Sequence, residues 1–170
     1  MALIKSVRGF EPKIPTSCWL AENSTIIGEV TMGKGCSIWF NTVIRGDVNS
    51  ITVGEMTNIQ DNATIHGTYQ KAATYIGNRV SIGHNAVVHG CTIEDWVLVG
   101  MGSILMDHAY IKTGSIIAAG SVVTYNTIVE ENMVYAGIPA KPLKPVDPSH
   151  REMMENISKN YLKYASWFQD

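Results

Sequence analysis

Ile93–Val129 reads IEDWVL VGMGSI LMDHAY IKTGSI IAAGSV VTYNTI V when it is broken every six residues. Each block opens on an aliphatic residue: Ile93, Val99, Leu105, Ile111, Ile117, Val123 and Val129. The period extends upstream with three interruptions. Leu20, Ile26, Met32, Ile38 and Ile44 form one run, Val53, Ile59 and Ile65 a second, and Ile76, Ile82 and Val88 a third. The fifth place of each block is small or β-branched, as at Ser24, Cys36, Thr57, Ala86, Ser103 and Ser121, with only Tyr69 and Met133 departing. Gly33, Gly54, Gly77, Gly83 and Gly100 follow the opening residue. A helix would show a period of 3.6 and a half-buried strand a period of two, so a strict six fits neither. The sequence predicts an all-β solenoid, a parallel β-helix of very short strands, three to a triangular coil. The opening residue plugs the axis and the small fifth residue turns the corner. Eighteen blocks make about six coils stacked roughly 4.8 Å apart.

Composition agrees. The 170 residues contain 19 Ile and 15 Val against 6 Leu, a surplus of residues that pack on strands and lose rotamers in helices. The hydrophobic content of 45% excludes a disordered chain, and a net charge of -2 offers nothing to nucleic acid or anionic membranes. The longest uncharged run, Thr113–Val129, is studded with Ser, Thr and Asn, too polar for a membrane span. Lys5 and Arg8 interrupt the N-terminal apolar residues, so no signal-peptide core is expected. Cys18, Cys36 and Cys91 are odd in number and lack a CxxC spacing, which fits a reducing cytoplasm better than a disulfide framework.

The solenoid domain is expected over 1–147, ending in a proline-rich exit after Gly137–Lys141. Over 148–170, Met154, Ile157, Tyr161, Tyr164, Ala165 and Phe168 recur at three- and four-residue spacing. That is an amphipathic helix packed on the same domain, opened by a capping box of Ser149 and Glu152.

Counting blocks in threes places side chains on the prism. The blocks opened by Ile44, Ile65 and Val88 share a face, so Arg45, His66 and His89 form one outward column. The blocks opened by Ile59 and Ile82 share the preceding face, so Asp61 and His84 form a second. His66 and His89, one coil apart, can share a metal. His84 lies around a corner, and a neighbouring subunit could supply it to the same ion. This predicts a homotrimer with three interfacial metal sites, since closed cyclic symmetry satisfies such a contact. Three histidines with an open fourth position suit a catalytic metal, and no cysteine is placed to close the site.

The repeat resembles that of the hexapeptide-repeat proteins, which implies a left-handed solenoid. Ile44-Arg45-Gly46-Asp47, Asn58-Ile59-Gln60-Asp61, His66 and His84-x4-His89 together resemble the gamma-class carbonic anhydrase family. The resemblance implies reversible hydration of CO2 to bicarbonate at a Zn2+, Fe2+ or Co2+ site held by His66, His84 and His89. It also implies that Gln60 orients solvent, that Arg45 and Asp47 form an ion pair at the subunit contact, and that Asp61 is a second carboxylate there. Val48 stands where one branch of the family has a glutamate, and the Thr68–Thr74 insertion contains no acid. Proton transfer to solvent then falls to another group, with Asp61, His108 and Tyr135 as candidates. Three other readings remain: a metal-dependent thioesterase acting on acyl-CoA, a hexapeptide-repeat acyltransferase with Lys141 near coenzyme A phosphate, and a non-catalytic assembly subunit.

Overall fold

The computed structural model describes residues 1–168. Its strands form two hydrogen-bonded sheets wrapped around one axis. In the larger, eleven-stranded sheet, Val43–Val53 turns a corner, so strands stack on it along two faces of the prism. The other sheet has eight strands and makes the third face. Almost every pairing is parallel and joins residues one coil apart. Ile44 pairs with Ile65, Ile65 with Val88 and Val88 with Leu105, while on the preceding face Ile59 pairs with Ile82 and Ile82 with Val99.

The opening residues do plug the axis. Ile26, Ile44, Ile59, Ile65, Ile82, Ile93, Leu105 and Ile117 are fully buried in one continuous core. The corner hydroxyls explain their place in the repeat: Thr42 Oγ1 donates to Gln60 O, and Thr57 Oγ1 to Gly77 O, each at 2.9 Å. A small polar side chain at a corner thus satisfies a carbonyl that the bend frees from the ladder.

The solenoid has about seven turns, one more than expected. Leu3–Lys5 pairs parallel with Thr25–Met32, matching Ile4 to Ile26, and Lys13 bridges to Thr31. This first coil escapes the period because Ile4 and Ile14 are ten residues apart rather than six. At the other end Met133–Gly137 and Ala140–Pro145 form an antiparallel hairpin that closes the stack. Tyr135 is buried there, pairing with Ile117 at the axis, and its hydroxyl accepts from Glu130 N–H. It is therefore not a route for protons to solvent.

The C-terminal helix is Pro148–Ser166, and positions 169–170 of the expected helical segment lie outside the described residues. Met154, Ser158 and Ala165 are buried, Ile157, Tyr161 and Tyr164 are partly so, and Phe168 is exposed. Its cap differs from the expected one. Asp147 is the N-cap and accepts from His150 N–H at 3.1 Å, while His150 Nδ1 accepts from Asp147 N–H. Pro148 at the first helical position needs no donor of its own, which puts the cap two residues before Ser149. The Ser149 hydroxyl instead donates to the Asp147 carboxylate, which together with the helix N–H holds that carboxyl at a pKa of about 2.

Candidate metal centre

His66 and His89 are register partners on neighbouring parallel strands, Thr64–His66 and Val87–His89. Stacking brings His66 Nδ1 within 3.2 Å of His89 Nε2. The other nitrogen of each ring faces a carboxylate. His66 Nε2 lies 3.0 Å from Asp47 Oδ1, and His89 Nδ1 lies 2.5 Å from Asp107 Oδ1. Each ring therefore donates its N–H to an aspartate and keeps a lone pair on the nitrogen that meets its neighbour. Two lone pairs at 3.2 Å repel each other unless an electrophile sits between them. Two nitrogens bound at 2.0–2.1 Å in a tetrahedral shell would lie about 3.3–3.4 Å apart, so this pair fits a divalent ion.

The aspartates are held in turn. Asp47 accepts from Arg45 at 2.5 Å as well as from His66, and Arg8 donates to Asp47 O. Burial works to raise the Asp47 pKa, but the bonds from His66 and Arg45 outweigh it and hold the carboxyl low. Asp107 is more enclosed, and Thr68 Oγ1 donates to its second oxygen at 2.5 Å. There too burial opposes ionisation, and the bonds from Thr68 and His89 overcome it. Gly90 makes room for this group. A Cβ at that position, whose φ is +56°, would lie 2.4 Å from Asp107 Oδ1.

His84 stands on the other sheet, in the block opened by Ile82. Its Nδ1 lies 2.7 Å from Asp61 Oδ2, while Asp61 Oδ1 accepts from Phe40 N–H. Its Nε2 keeps the lone pair and accepts from Tyr161 O–H at 3.2 Å. Burial pushes the Tyr161 pKa to about 12, so the phenol remains a donor at neutral pH. All three histidines thus share one device, a carboxylate that fixes the tautomer and leaves the lone pair on the other nitrogen, which in His84 meets the Tyr161 hydroxyl. The structure does not bring His84 to the His66–His89 pair. Among the described residues no group of three or more metal-ligating side chains converges within one chain.

Gln60, buried, donates to Asn58 Oδ1 at 3.0 Å, and Asn58 is held by Ser81. It lines an apolar groove of about 420 Å³ with His84, Leu98, Met101, Ile157 and Tyr161, on the side of His84 rather than of His66. Two residues of this region carry no marked signal in the sequence, Asp107 and Tyr161. Asp107 is the third residue of the block opened by Leu105, one coil beyond His89, and the spacing could have found it. Tyr161 arrives on the C-terminal helix, whose docking the repeat does not encode.

No protein-family model matches the chain. A protein of Geobacillus kaustophilus named carbonic anhydrase is 35% identical over 167 residues, covering 98% of this chain and 91% of its own length. Gamma carbonic anhydrase 2 of Arabidopsis thaliana, named as mitochondrial, is 40% identical over 159 residues, covering 91% of this chain. The chain belongs to the gamma-class carbonic anhydrase family. It spans 57% of the length of that Arabidopsis relative. Among solved structures, a hexapeptide transferase family protein of Anaplasma phagocytophilum superposes with a TM-score of 0.93 at 40% identity, covering 98% of each chain. Family membership and the hexapeptide-repeat fold therefore agree with the readings of the sequence.

Proposed function

We propose that this gamma-class member hydrates CO2 reversibly at a metal ion held between two chains of a homotrimer. In this reading His66 and His89 of one chain and His84 of the next hold Zn2+, or Fe2+ or Co2+ where those are the available ions, since neutral imidazoles bind all three. The observation that carries it is the shared tautomer device. Each histidine commits one N–H to Asp47, Asp107 or Asp61, and two of the remaining lone pairs meet at 3.2 Å.

A bound ion of this kind supplies Lewis acidity, bringing a coordinated water to a pKa near 7. The chain's own residues do the rest. Asp47, Asp61 and Asp107 fix the tautomer and aim the ligating nitrogens. Gln60, fixed by Asn58, offers its amide to orient solvent in the groove beside His84. Arg45, held by Asp47, presents the remaining face of its guanidinium to an anionic product, a geometry suited to planar carboxylates. Asp61, partly exposed, and the exposed His108 are the groups assigned to proton release.

Two features support a trimer. His84, held by Asp61 and Tyr161, does not converge with the pair it would complete. Beside His89, an outward apolar strip of Val87, Ile104, Met106 and Tyr125 borders a cavity of about 350 Å³, with Ile104 and Tyr125 over 40% exposed. Such a strip next to an incomplete metal site is best covered by another copy of the chain. Three free thiols fit a reducing compartment, the cytoplasm in this reading, and no described helix is long and apolar enough to cross a membrane.

One observation favours a second reading. The groove beside His84 is lined mainly by aliphatic side chains, which gives an acyl chain of a small thioester a place to lie. The test is one preparation, metal-loaded without air, assayed by stopped flow for CO2 hydration and separately for acyl-CoA hydrolysis. Hydration that follows metal content supports the proposal. A fully loaded trimer inert toward CO2 and active on acyl-CoA would replace it with the thioesterase.

A further inference from the structure

Away from the histidines, two cysteines sit one above the other at a corner of the solenoid. Cys18 and Cys36 occupy the fifth place of blocks opened by Ile14 and Met32, and their neighbours Trp19 and Ser37 are register partners. Trp19 N–H donates to Cys36 O at 2.9 Å. Their Cα atoms are therefore about 4.8 Å apart, inside the range of about 4.4–6.8 Å that a disulfide spans. Both sulfurs reach the same carbonyl, Gly33 O, at 3.2 and 3.4 Å, and Cys36 Sγ also contacts Gly54 O at 3.0 Å. Cys18 is partly exposed and Cys36 is buried.

The fold does not require thiols here. Thr57, the next corner in the same column, makes the equivalent bond to Gly77 O with a hydroxyl. We propose that Cys18 and Cys36 form a reversible redox site, in which a hydroperoxide oxidises Cys18 and Cys36 resolves it to an intrachain disulfide. The Cys18 thiolate attacks one peroxide oxygen, the O–O bond breaks, and hydroxide leaves with Cys18 as a sulfenic acid. The Cys36 sulfur then attacks the Cys18 sulfur. The S–S bond forms, the S–O bond breaks, and water departs with the Cys36 proton. In sum two thiols lose two electrons and one hydrogen peroxide becomes two waters, and a dithiol reductant reverses the change.

The Cys36 thiol stabilises a thiolate on Cys18 and brings its pKa to about 7, whereas burial lifts Cys91 to about 12. A partly exposed thiol of lowered pKa beside a second thiol is an arrangement that suits a redox-sensing cysteine pair. A lowered pKa raises the thiolate fraction of Cys18 at neutral pH but lowers the nucleophilicity of that thiolate, so the product, rather than the rate, is the decisive readout.

The test treats the reduced full-length protein with hydrogen peroxide, quenches with an alkylating agent and maps peptides by mass. The expected result is a Cys18–Cys36 cross-link with loss of two hydrogens per chain, undone by dithiothreitol, with Cys91 still alkylated. In Cys36→Ser, which keeps the corner bond, Cys18 should be trapped by dimedone as a sulfenic acid, and in Cys18→Ser no dimedone adduct should form on Cys36. Recovery of both thiols free after peroxide, linkage of Cys18 to another chain, or absence of the adduct in Cys36→Ser would overturn the proposal.

Discussion

Replacing Asp107 should weaken metal binding without dissolving the fold. The carboxylate contacts no metal in the proposed site. It accepts the Nδ1–H of His89 at 2.5 Å and is braced by Thr68 on its other oxygen. Loss of such a partner frees the imidazole to rotate and to adopt the other tautomer, which puts the N–H on the nitrogen that should bind. Partners of this kind are worth about 10- to 100-fold in metal affinity, or about 1.4–2.7 kcal/mol. Asp107→Ala should fall near the upper end, because among the described residues Asp107 is the hydrogen-bond partner of His89 Nδ1 and alanine offers no acceptor. Asp107→Asn keeps an oxygen acceptor of the same shape at about half the strength of a charged one, and should fall near the lower end. Competition against a chromophoric chelator at fixed pH gives the affinities, and circular dichroism with a thermal scan checks the fold. Zinc binding by folded Asp107→Ala within twofold of the parent would refute the idea that the aspartates set the ligands.

Other expectations follow from the solenoid and from the helix docked on it. Ile65, wholly buried between Ile44 and Val88, should cost about 2–5 kcal/mol as Ala and about 0.5–1.5 kcal/mol as Val in denaturant unfolding. Gly28→Ala should cost about 2–5 kcal/mol, because φ there is +77° and the new Cβ would lie 2.3 Å from Gly46 O; unchanged stability would show that this close approach relaxes freely. Tyr161→Phe removes the hydroxyl that occupies the His84 lone pair. A net hydrogen bond of about 1 kcal/mol sets the gain in metal affinity at about fivefold or less, and weaker binding would mean that Tyr161 supports the ion instead of competing with it.

The repeat made the axis readable because each plug is local: one aliphatic residue, six positions on, again and again. Once register was set by Ile44, Ile65 and Val88, the outward column of His66 and His89 followed. The second column followed in the same way, and Asp61 does meet His84. What escaped depends on departures from the period or on distant chain. The first coil is irregular, with Ile4 exposed at the open end of the stack and ten residues from Ile14, so it did not register in the period. Asp107 reaches His89 only because Gly90 has no side chain in the way, and a glycine in a turn-rich sequence carries little signal. Tyr161 depends on how the helix lies against the strands Ser37–Ile38 and Ser81–Ile82, fixed by contacts such as Trp39 with Tyr161 at 5.1 Å. The cap moved from Ser149 to Asp147 for a similar reason. Pro148 leaves only one residue well placed to start the helix.

The central claim is that the metal belongs to two chains at once, and mixed assembly tests it most directly. Chains carrying His84→Ala are co-expressed in equal amounts with chains carrying both His66→Ala and His89→Ala, under different tags, and the mixed trimers are purified. Neither variant alone can complete a shared site. In every mixed trimer, whether two-to-one or one-to-two, one interface of the three joins an intact His66–His89 pair to an intact His84, so about a third of the sites are complete. Metal content and CO2 hydration should return to about that fraction of the parent, with neither variant active alone. No recovery in mixed trimers, or full metal content in His84→Ala by itself, would contradict a site shared between subunits.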